Sequence, residues 1–291
     1  MKILLVGAGS IGLRHLCNLL ALYPDAEIVV CDPLEKRAKM ALAECKNAKS
    51  RTYKTFEDAL EHALDADYAI IASPDKEHIH QAASLFTHDI AFYLEKPACD
   101  LSAESIALLH NISVSANIFL VLDSSSAAGG HCTMGYQYRF HPVIIENYAR
   151  WQACGYLRFY ARDDLKSRYG ANCLAVMAAH PIDTALYVLG PVDRVEMQTN
   201  GLSVTGRIWH TGGGLSEFDI AMQPGPRVSQ ITAGDGGGWS KTYDLDRDDG
   251  MYLSALKAWL DWFQGGERDK RTATLAEGWA SMEVMKKIKQ V

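Results

Sequence analysis

No Cys-x-x-Cys pair occurs among the seven cysteines, Cys17, Cys31, Cys45, Cys99, Cys132, Cys154 and Cys173. So scattered and odd-numbered a set excludes a disulfide framework or zinc ribbon, and reads as small, mostly buried thiols in a reducing compartment. Positive charge is also short. The 29 Lys and Arg against 35 Asp and Glu leave −6 at pH 7, which argues against nucleic acid or an anionic membrane as the main partner, since both demand a basic surface. Long apolar runs are missing too. The run at residues 118–122, like every other beyond the N-terminus, falls far short of the ~20 residues a membrane span needs. The opening run after Met1-Lys2 is interrupted by Gly7, Gly9 and Gly12 and followed by Arg14 and His15, without the small-residue cleavage site of a secretory signal. A cytoplasmic protein with neither nucleic acid nor membrane as partner is expected.

What is present is an ordinary globular composition, 48% apolar and 22% charged over 291 residues, about twice a typical domain of ~150 residues. The first third alternates short β-branched runs (residues 3–6, 27–31, 68–72 and 91–94) with stretches of helical apolar spacing (13–22, 34–46, 55–64 and 78–87). That alternation predicts right-handed crossovers and a parallel sheet covered by helices on both faces. Texture changes after residue 122, where Asp123-Ser124-Ser125-Ser126-Ala127-Ala128-Gly129-Gly130 reads as a linker or surface insertion. A helix is expected from Pro142 to about Ala153, then strands at 156–162, 194–199, 202–209, 215–223 and 227–233. Hairpin signals at Asn200-Gly201 and Gly212-Gly213-Gly214 suggest antiparallel pairing. One helix (172–189) ending at Gly190-Pro191 interrupts these strands, and two more (252–263 and 275–289) close the chain. The predicted division is an α/β domain over 1–122 and an α+β domain over 123–291.

Gly7-Ala8-Gly9-Ser10-Ile11-Gly12 follows the first strand directly and opens the first helix. Glycines there permit a tight turn, close approach of backbone to a pyrophosphate and close helix–strand packing, with the helix N-terminus facing the phosphates. Asp32 ends the second strand 20 residues after Gly12, where a carboxylate would accept the ribose hydroxyls of NAD and repel the extra phosphate of NADP. Lys36 and Arg37 beside it leave NADP open. The plainer reading of Asp32 is a turn residue before Pro33.

Glu95-Lys96-Pro97 closes the fourth predicted strand, and a lysine at the C-terminal end of a parallel strand lies where ligands bind in open α/β sheets. With the glycine loop, Ala72-Ser73-Pro74 followed by His78, and Gly135-Tyr136-Gln137-Tyr138-Arg139-Phe140-His141-Pro142, this motif makes the chain resemble the glucose-fructose oxidoreductase / inositol dehydrogenase / MocA family of NAD(P)-dependent oxidoreductases. The four segments occur in family order across nearly the whole chain.

The resemblance implies a Rossmann doubly wound sheet followed by an α+β domain with an open, mostly antiparallel sheet. It implies cofactor contacts from Gly7, Gly9, Ser10, Ile11, Gly12, Asp32 and Arg37, joined by Ser73, Pro74, Glu95 and Lys96, with His78 supporting that loop from behind. Lys96 would donate to the reacting oxygen and stabilise negative charge developing there. His180, in Ala179-His180-Pro181-Ile182-Asp183, matches the family's proton-transfer histidine, but the aspartate usual four residues earlier is replaced by Val176. Imidazole can transfer the proton alone, with help from Tyr138 or Tyr169, while Asp183 reads as a structural partner near the helix surface. The plainer alternative for His180 is a helix residue satisfied by a neighbour.

Arg162, Lys166, Arg168 and Tyr169 could hold an anionic substrate group, together with Tyr138, or could be a solvated charge run beside Asp163 and Asp164. His78 and His80, two residues apart on a helix, do not share a face, so no metal site is expected. The implied reaction is hydride transfer between nicotinamide and a hydroxyl or keto carbon of a polyol, sugar or nucleotide sugar. Loss of the aspartate keeps two alternatives open, a nucleotide-binding regulatory protein without catalysis and an imine reductase. By analogy a homodimer or homotetramer is expected.

Overall fold

The computed structural model describes residues 1–291 apart from 123–130, 167–171, 236–237, 246–247 and 249, and omits the side chains of 117–122. The chain folds into two compact units, Met1–Gly135 with Tyr252–Trp279, and Tyr136–Met251 with Ala280–Val291.

The first unit carries the alternation expected from the sequence: β1 (Lys2–Val6), α1 (Ser10–Leu22), β2 (Glu27–Cys31), α2 (Glu35–Glu44), β3 (Arg51–Tyr53), α3 (Phe56–Glu61), β4 (Tyr68–Ile71), α4 (Asp75–Thr87), β5 (Phe92–Glu95), α5 (Ala103–Leu122) and β6 (Thr133–Gly135). β1, β4 and β5 are buried almost throughout, as expected of parallel strands covered on both faces. Strand order is β13-β6-β5-β4-β1-β2-β3, with every pair parallel except the one made by the two-residue edge strand β13 (Ala273–Thr274). Helix α5 escaped prediction because apolar residues occupy every side of it, so no 3.6-residue stripe stands out.

The second unit comprises the 3-10 turn Gln137–Phe140, α6 (Pro142–Cys154), β7 (Tyr156–Asp163), a π-helical turn Leu174–Ala178, α7 (Ala179–Leu189), β8 (Val192–Thr199), β9 (Ser203–His210), β10 (Leu215–Met222), β11 (Val228–Gly234) and β12 (Ser240–Asp244). These strands, with β14 (Lys289–Gln290), form a sheet of order β12-β11-β7-β10-β9-β8-β14, antiparallel except where β7 meets β10 and β8 meets β14. Pro142 occupies the start of α6 and Gly155, at φ 72°, ends it. The helix expected over 172–189 is in two parts. Pro181 has no N–H to offer the Met177 carbonyl and its ring crowds that oxygen, so the ladder widens into the π turn just before it.

The domain boundary is corrected by a returning segment. Texture assigned all of 123–291 to a second domain, yet α8 (Gly250–Phe263) sends Leu256, Trp259, Leu260 and Trp262 into the core of the first unit, against Tyr68 and Tyr93. Trp259 meets the Tyr68 ring edge-on at 5.1 Å. Burying an indole of this size against two tyrosines is worth roughly 2–3 kcal/mol per side chain. The last helix, α9 (Leu275–Lys286), follows β13. The serine-rich stretch 123–130 lies outside the described residues.

None of the seven cysteines is bridged in a disulfide. Burial pushes Cys31, Cys99 and Cys132 up to about 12, so they stay protonated and unreactive. Among the described residues, no helix is long and apolar enough to cross a membrane.

Candidate active site

In the first sheet β5, β4, β1 and β2 are consecutive neighbours, so the segments leaving their C-terminal ends line up along one edge. These are Lys96 after β5, Ser73-Pro74 after β4, the glycine loop after β1 and Asp32 after β2.

The three glycines meet different surroundings. Gly7 has φ 90°, and a Cβ there would lie 2.5 Å from the Ala72 carbonyl oxygen. At Gly12 a Cβ would lie 1.9 Å from the Gly7 carbonyl oxygen. At Gly9 nothing of the protein lies within 4 Å of that position. Gly7 and Gly12 therefore serve the loop's own packing, whereas Gly9 keeps open the space before the α1 N-terminus. Gly9 caps α1 without a side-chain acceptor, leaving the first-turn N–H groups, including those of Ser10 and Ile11, aimed outward for an anion. The carboxylate of Asp32, only 3% exposed, accepts from the Ala8 N–H at 2.9 Å and the Leu34 N–H at 2.8 Å. It thus holds the glycine loop to the end of β2, which is the turn role expected of it. Arg37 and Lys36 are exposed in the first turn of α2. An open loop, uncapped donors and a fixed carboxylate fit a dinucleotide.

Behind this edge the segments are tied together by residues that the sequence marked weakly. His78, buried, sets Nδ1 2.7 Å from the Pro97 carbonyl and Nε2 2.7 Å from the Ser73 carbonyl, which joins the loops after β4 and β5. Its burial pushes the imidazole below its ordinary value. The Ser73 hydroxyl donates to Gln81 Oε1 at 2.6 Å. Glu95, 5% exposed, lies 2.7 Å from His15 Nε2 and accepts from the Lys96 N–H at 3.3 Å. Neither His15 nor Gln81 was singled out beforehand. The available signal was a polar residue on the stripe of α1 that buries Gly12, Leu16 and Leu19. Lys96 precedes a cis peptide to Pro97. Burial holds its ammonium below the usual lysine range, partly offset by the negative charges of Glu95 and Asp75.

Residues 1–121 match the model of an oxidoreductase family with an NAD-binding Rossmann fold. This part of the chain is similar to the Gfo/Idh/MocA family. A protein described as the oxidoreductase subunit of a UDP-kanosamine synthase, from Amycolatopsis mediterranei, is 28% identical over 194 residues, 64% of this chain and 51% of that protein. The match thus spans about half the length of that curated relative. Among solved structures, the WlbA dehydrogenase of Thermus thermophilus, with NAD and UDP-GlcNAcA, superposes with a TM-score of 0.77 at 16% identity, covering 100% of this chain and 97% of that one. A myo-inositol dehydrogenase of Corynebacterium glutamicum gives 0.76 at 18% identity, covering 98% and 94%. Both units therefore share the fold of these two solved dehydrogenases.

The second unit holds His180 and Tyr138. His180, 7% exposed, sits in the first turn of α7 with the Tyr138 ring stacked on it, centroids 4.3 Å apart and planes within 3°. Tyr136 approaches edge-on at 6.2 Å. Arg139 Nε and Nη2 donate to Asp183 Oδ2 and Oδ1 at 2.9 and 2.6 Å, both side chains being almost wholly buried. Asp183 is therefore a structural partner as its position suggested, but inside the unit and not near the surface. Val176 stands four residues before His180, inside the π turn, with Ala175 before it.

Of the proposed cationic cluster, Arg162 and Lys166 are among the described residues. Along β7, Arg162 falls on the face shared with Arg158 and Tyr160, opposite the buried Leu157 and Phe159. Its guanidinium donates to the Asp219 carbonyl and carboxylate, both at 2.7 Å, and covers the Tyr160 ring at 4.2 Å. Strand alternation is the reason, since every second residue must face away from the core. Lys166 is exposed, and Arg168 and Tyr169 lie outside the described residues.

Proposed function

We propose that the protein is an NAD-dependent oxidoreductase acting on a CH–OH carbon of a polyol, sugar or nucleotide sugar. The observation that carries this is Lys96, a desolvated lysine on the strand-end edge that also bears the open glycine loop and Asp32. Bound NAD supplies the hydride acceptor. Gly9, Ser10 and Ile11 would receive its pyrophosphate, Asp32 its adenosine ribose, Arg37 its adenine side, and the Ser73-Pro74 backbone its nicotinamide end. Lys96 donates to the substrate oxygen and stabilises the alkoxide as charge develops. His180 takes the hydroxyl proton in oxidation and returns it in reduction. NAD is preferred over NADP because the Asp32 carboxylate would repel a 2′-phosphate. The first unit is read as the dinucleotide domain, and the second as the domain for substrate and for assembly.

Relatives named for UDP-kanosamine, UDP-GlcNAcA and myo-inositol support the substrate class. The reading extends to a cytoplasmic homodimer or homotetramer, supported by the exposed face of the second sheet, where Arg158, Arg194 and Arg207 lie open. The deciding experiment follows reduced nicotinamide while NAD and a panel of polyols and nucleotide sugars are offered to the parent and to Lys96→Ala. Turnover by the parent, lost in the variant with NAD affinity largely intact, is expected; equal turnover by both defeats the assignment. The absence of any carboxylate in the π turn favours one other reading, a nucleotide-binding protein without catalysis, and turnover of any member of the panel removes it.

A further inference from the structure

Glu95 is the last residue of β5 and Lys96 the next in the chain, yet only the lysine enters the chemistry proposed above. The Glu95 carboxylate is almost cut off from water, 5% exposed. A buried carboxylate is retained where partners hold it, and the partners here include His15 and the backbone of Lys96. Oε1 lies 2.7 Å from Nε2 of His15, a fully buried residue of α1, and Oε2 accepts from the Lys96 N–H at 3.3 Å. We propose that Glu95 is a positioning residue for Lys96, clamped by His15: its fixed negative charge keeps the desolvated lysine an ammonium, the form that donates to the substrate oxygen. The inference rests on the reading of Lys96 as that donor.

An ionised carboxylate only accepts, so Nε2 of His15 carries the proton between them. Nδ1 is buried with no hydrogen-bond partner among the described residues, and the rings of Tyr93 and Tyr252 meet the imidazole edge-on at 5.1 and 6.1 Å. A second N–H on that side would be stranded against aromatic carbon, at a cost of about 1–3 kcal/mol. His15 therefore serves as a neutral donor, which fixes the carboxylate without cancelling its charge. That charge still reaches the neighbouring side chain. Burial lowers the proton affinity of Lys96, and the charges of Glu95 and then Asp75 raise it.

The other titratable groups nearby are placed differently. Asp75, half-buried at the start of α4, is wetter than Glu95 and so more screened. His78, from the same helix, is pushed below its ordinary value by burial and carries no charge over the alkaline range in which a lysine titrates. Arg14, beside His15 on α1, lies over the Tyr252 ring at 4.7 Å. The pair also has a mechanical consequence. His15 belongs to the helix whose N-terminus borders the glycine loop, and Glu95 directly precedes Lys96, so one hydrogen bond ties the helix of the nucleotide edge to the lysine.

The test compares the parent with Glu95→Gln, His15→Leu, the double variant and Lys96→Ala, each as the full chain with NAD. Glu95→Gln is isosteric and keeps an acceptor for His15 and for the Lys96 N–H, so it should fold. Lysine labelled with carbon-13 at Cε is titrated through the alkaline range without substrate, Lys96 being assigned by its loss in Lys96→Ala. Turnover of myo-inositol and UDP-N-acetylglucosamine is followed over the same range. Glu95→Gln should lower the Lys96 midpoint by about one pH unit or more and carry the alkaline limb of kcat down with it. An unmoved midpoint overturns the proposal even if the variant is less stable or less active, because a merely structural role would leave the titration of Lys96 in place. His15→Leu should lower kcat roughly 10-fold in the parent but less than about twofold in the Glu95→Gln background, since it acts through the carboxylate. Equal losses in both backgrounds overturn the clamp and the proposal with it. If neither compound is turned over, or His15→Leu does not fold, the Glu95→Gln titration decides alone. A Lys96→Ala protein as active as the parent would defeat the underlying reading together with the proposal, whereas an inactive Lys96→Ala beside an unmoved midpoint in Glu95→Gln defeats the proposal only.

Discussion

Gly9→Ala should separate cofactor binding from folding. The added methyl meets no protein atom within 4 Å, so the folded state loses nothing in packing and the Tm without ligand should stay within a degree or two of the parent. If the pyrophosphate lies over Gly9, the methyl occupies that space. Overpacking of this kind costs about 1–3 kcal/mol, and the middle of the range, ~2 kcal/mol, weakens NAD roughly 30-fold. The consequence for thermal stability follows from mass action. NAD at 100 times the parental Kd stabilises the parent by about 2.7 kcal/mol, while a site 30-fold weaker gains about 0.9 kcal/mol at the same concentration. The lost ~1.8 kcal/mol corresponds to roughly 4–7 °C of ligand-induced Tm shift. Gly12→Ala supplies the contrast, because its Cβ would stand 1.9 Å from a backbone oxygen that cannot swing aside, and it should lower Tm with or without NAD. Scanning fluorimetry with titrated NAD, backed by calorimetric Kd values, reads both. A Gly9→Ala protein that binds NAD as the parent does would refute the placement of the pyrophosphate.

Three other outcomes are expected. Asp183→Asn strands the buried Arg139 guanidinium and should cost about 3–5 kcal/mol, whereas Arg139→Met with Asp183→Leu should recover much of it; chemical denaturation checks this, and a loss below ~1 kcal/mol in the single variant contradicts the buried pair. Lys96→Met should raise stability, because a lysine whose folded pKa is depressed disfavours the fold while it is protonated; the gain is full below the folded value and fades as pH rises toward the unfolded value of ~10.4. A gain that grows with pH would contradict the sign. His78 and His210, both depressed mainly by burial, should make the protein lose stability as pH falls from ~6.5 through their folded values, and His78→Gln should flatten that decline in Tm measured from pH 7 to 5.

Local rules carried the sequence a long way. Strand and helix periods, the glycine loop, proline at the start of α6 and glycine at its end depend on neighbours a few residues apart, so the Rossmann order and the mostly antiparallel second sheet were legible. The positions of Lys96 and Asp32 were legible for the same reason, since each follows a recognisable strand. Helix α5, apolar on all sides, and the two-residue strands β13 and β14 were not, because neither length nor period distinguishes them.

The sequence by itself determined the chemistry available: a nucleotide loop with its carboxylate, a strand-end lysine, a histidine without its usual aspartate, and thiols spaced for neither a disulfide framework nor a zinc site. Only the tertiary structure decided which of these residues meet. It returned α8 to the first unit, because Trp259 and its neighbours find their apolar partners there across more than a hundred residues of chain. It turned Arg162 to the outer face of its sheet, tied His15 to Glu95 and laid Tyr138 on His180. The physical reason is common to all four. Contacts between residues distant in sequence are chosen by burial and packing of the whole unit, and no local period records them.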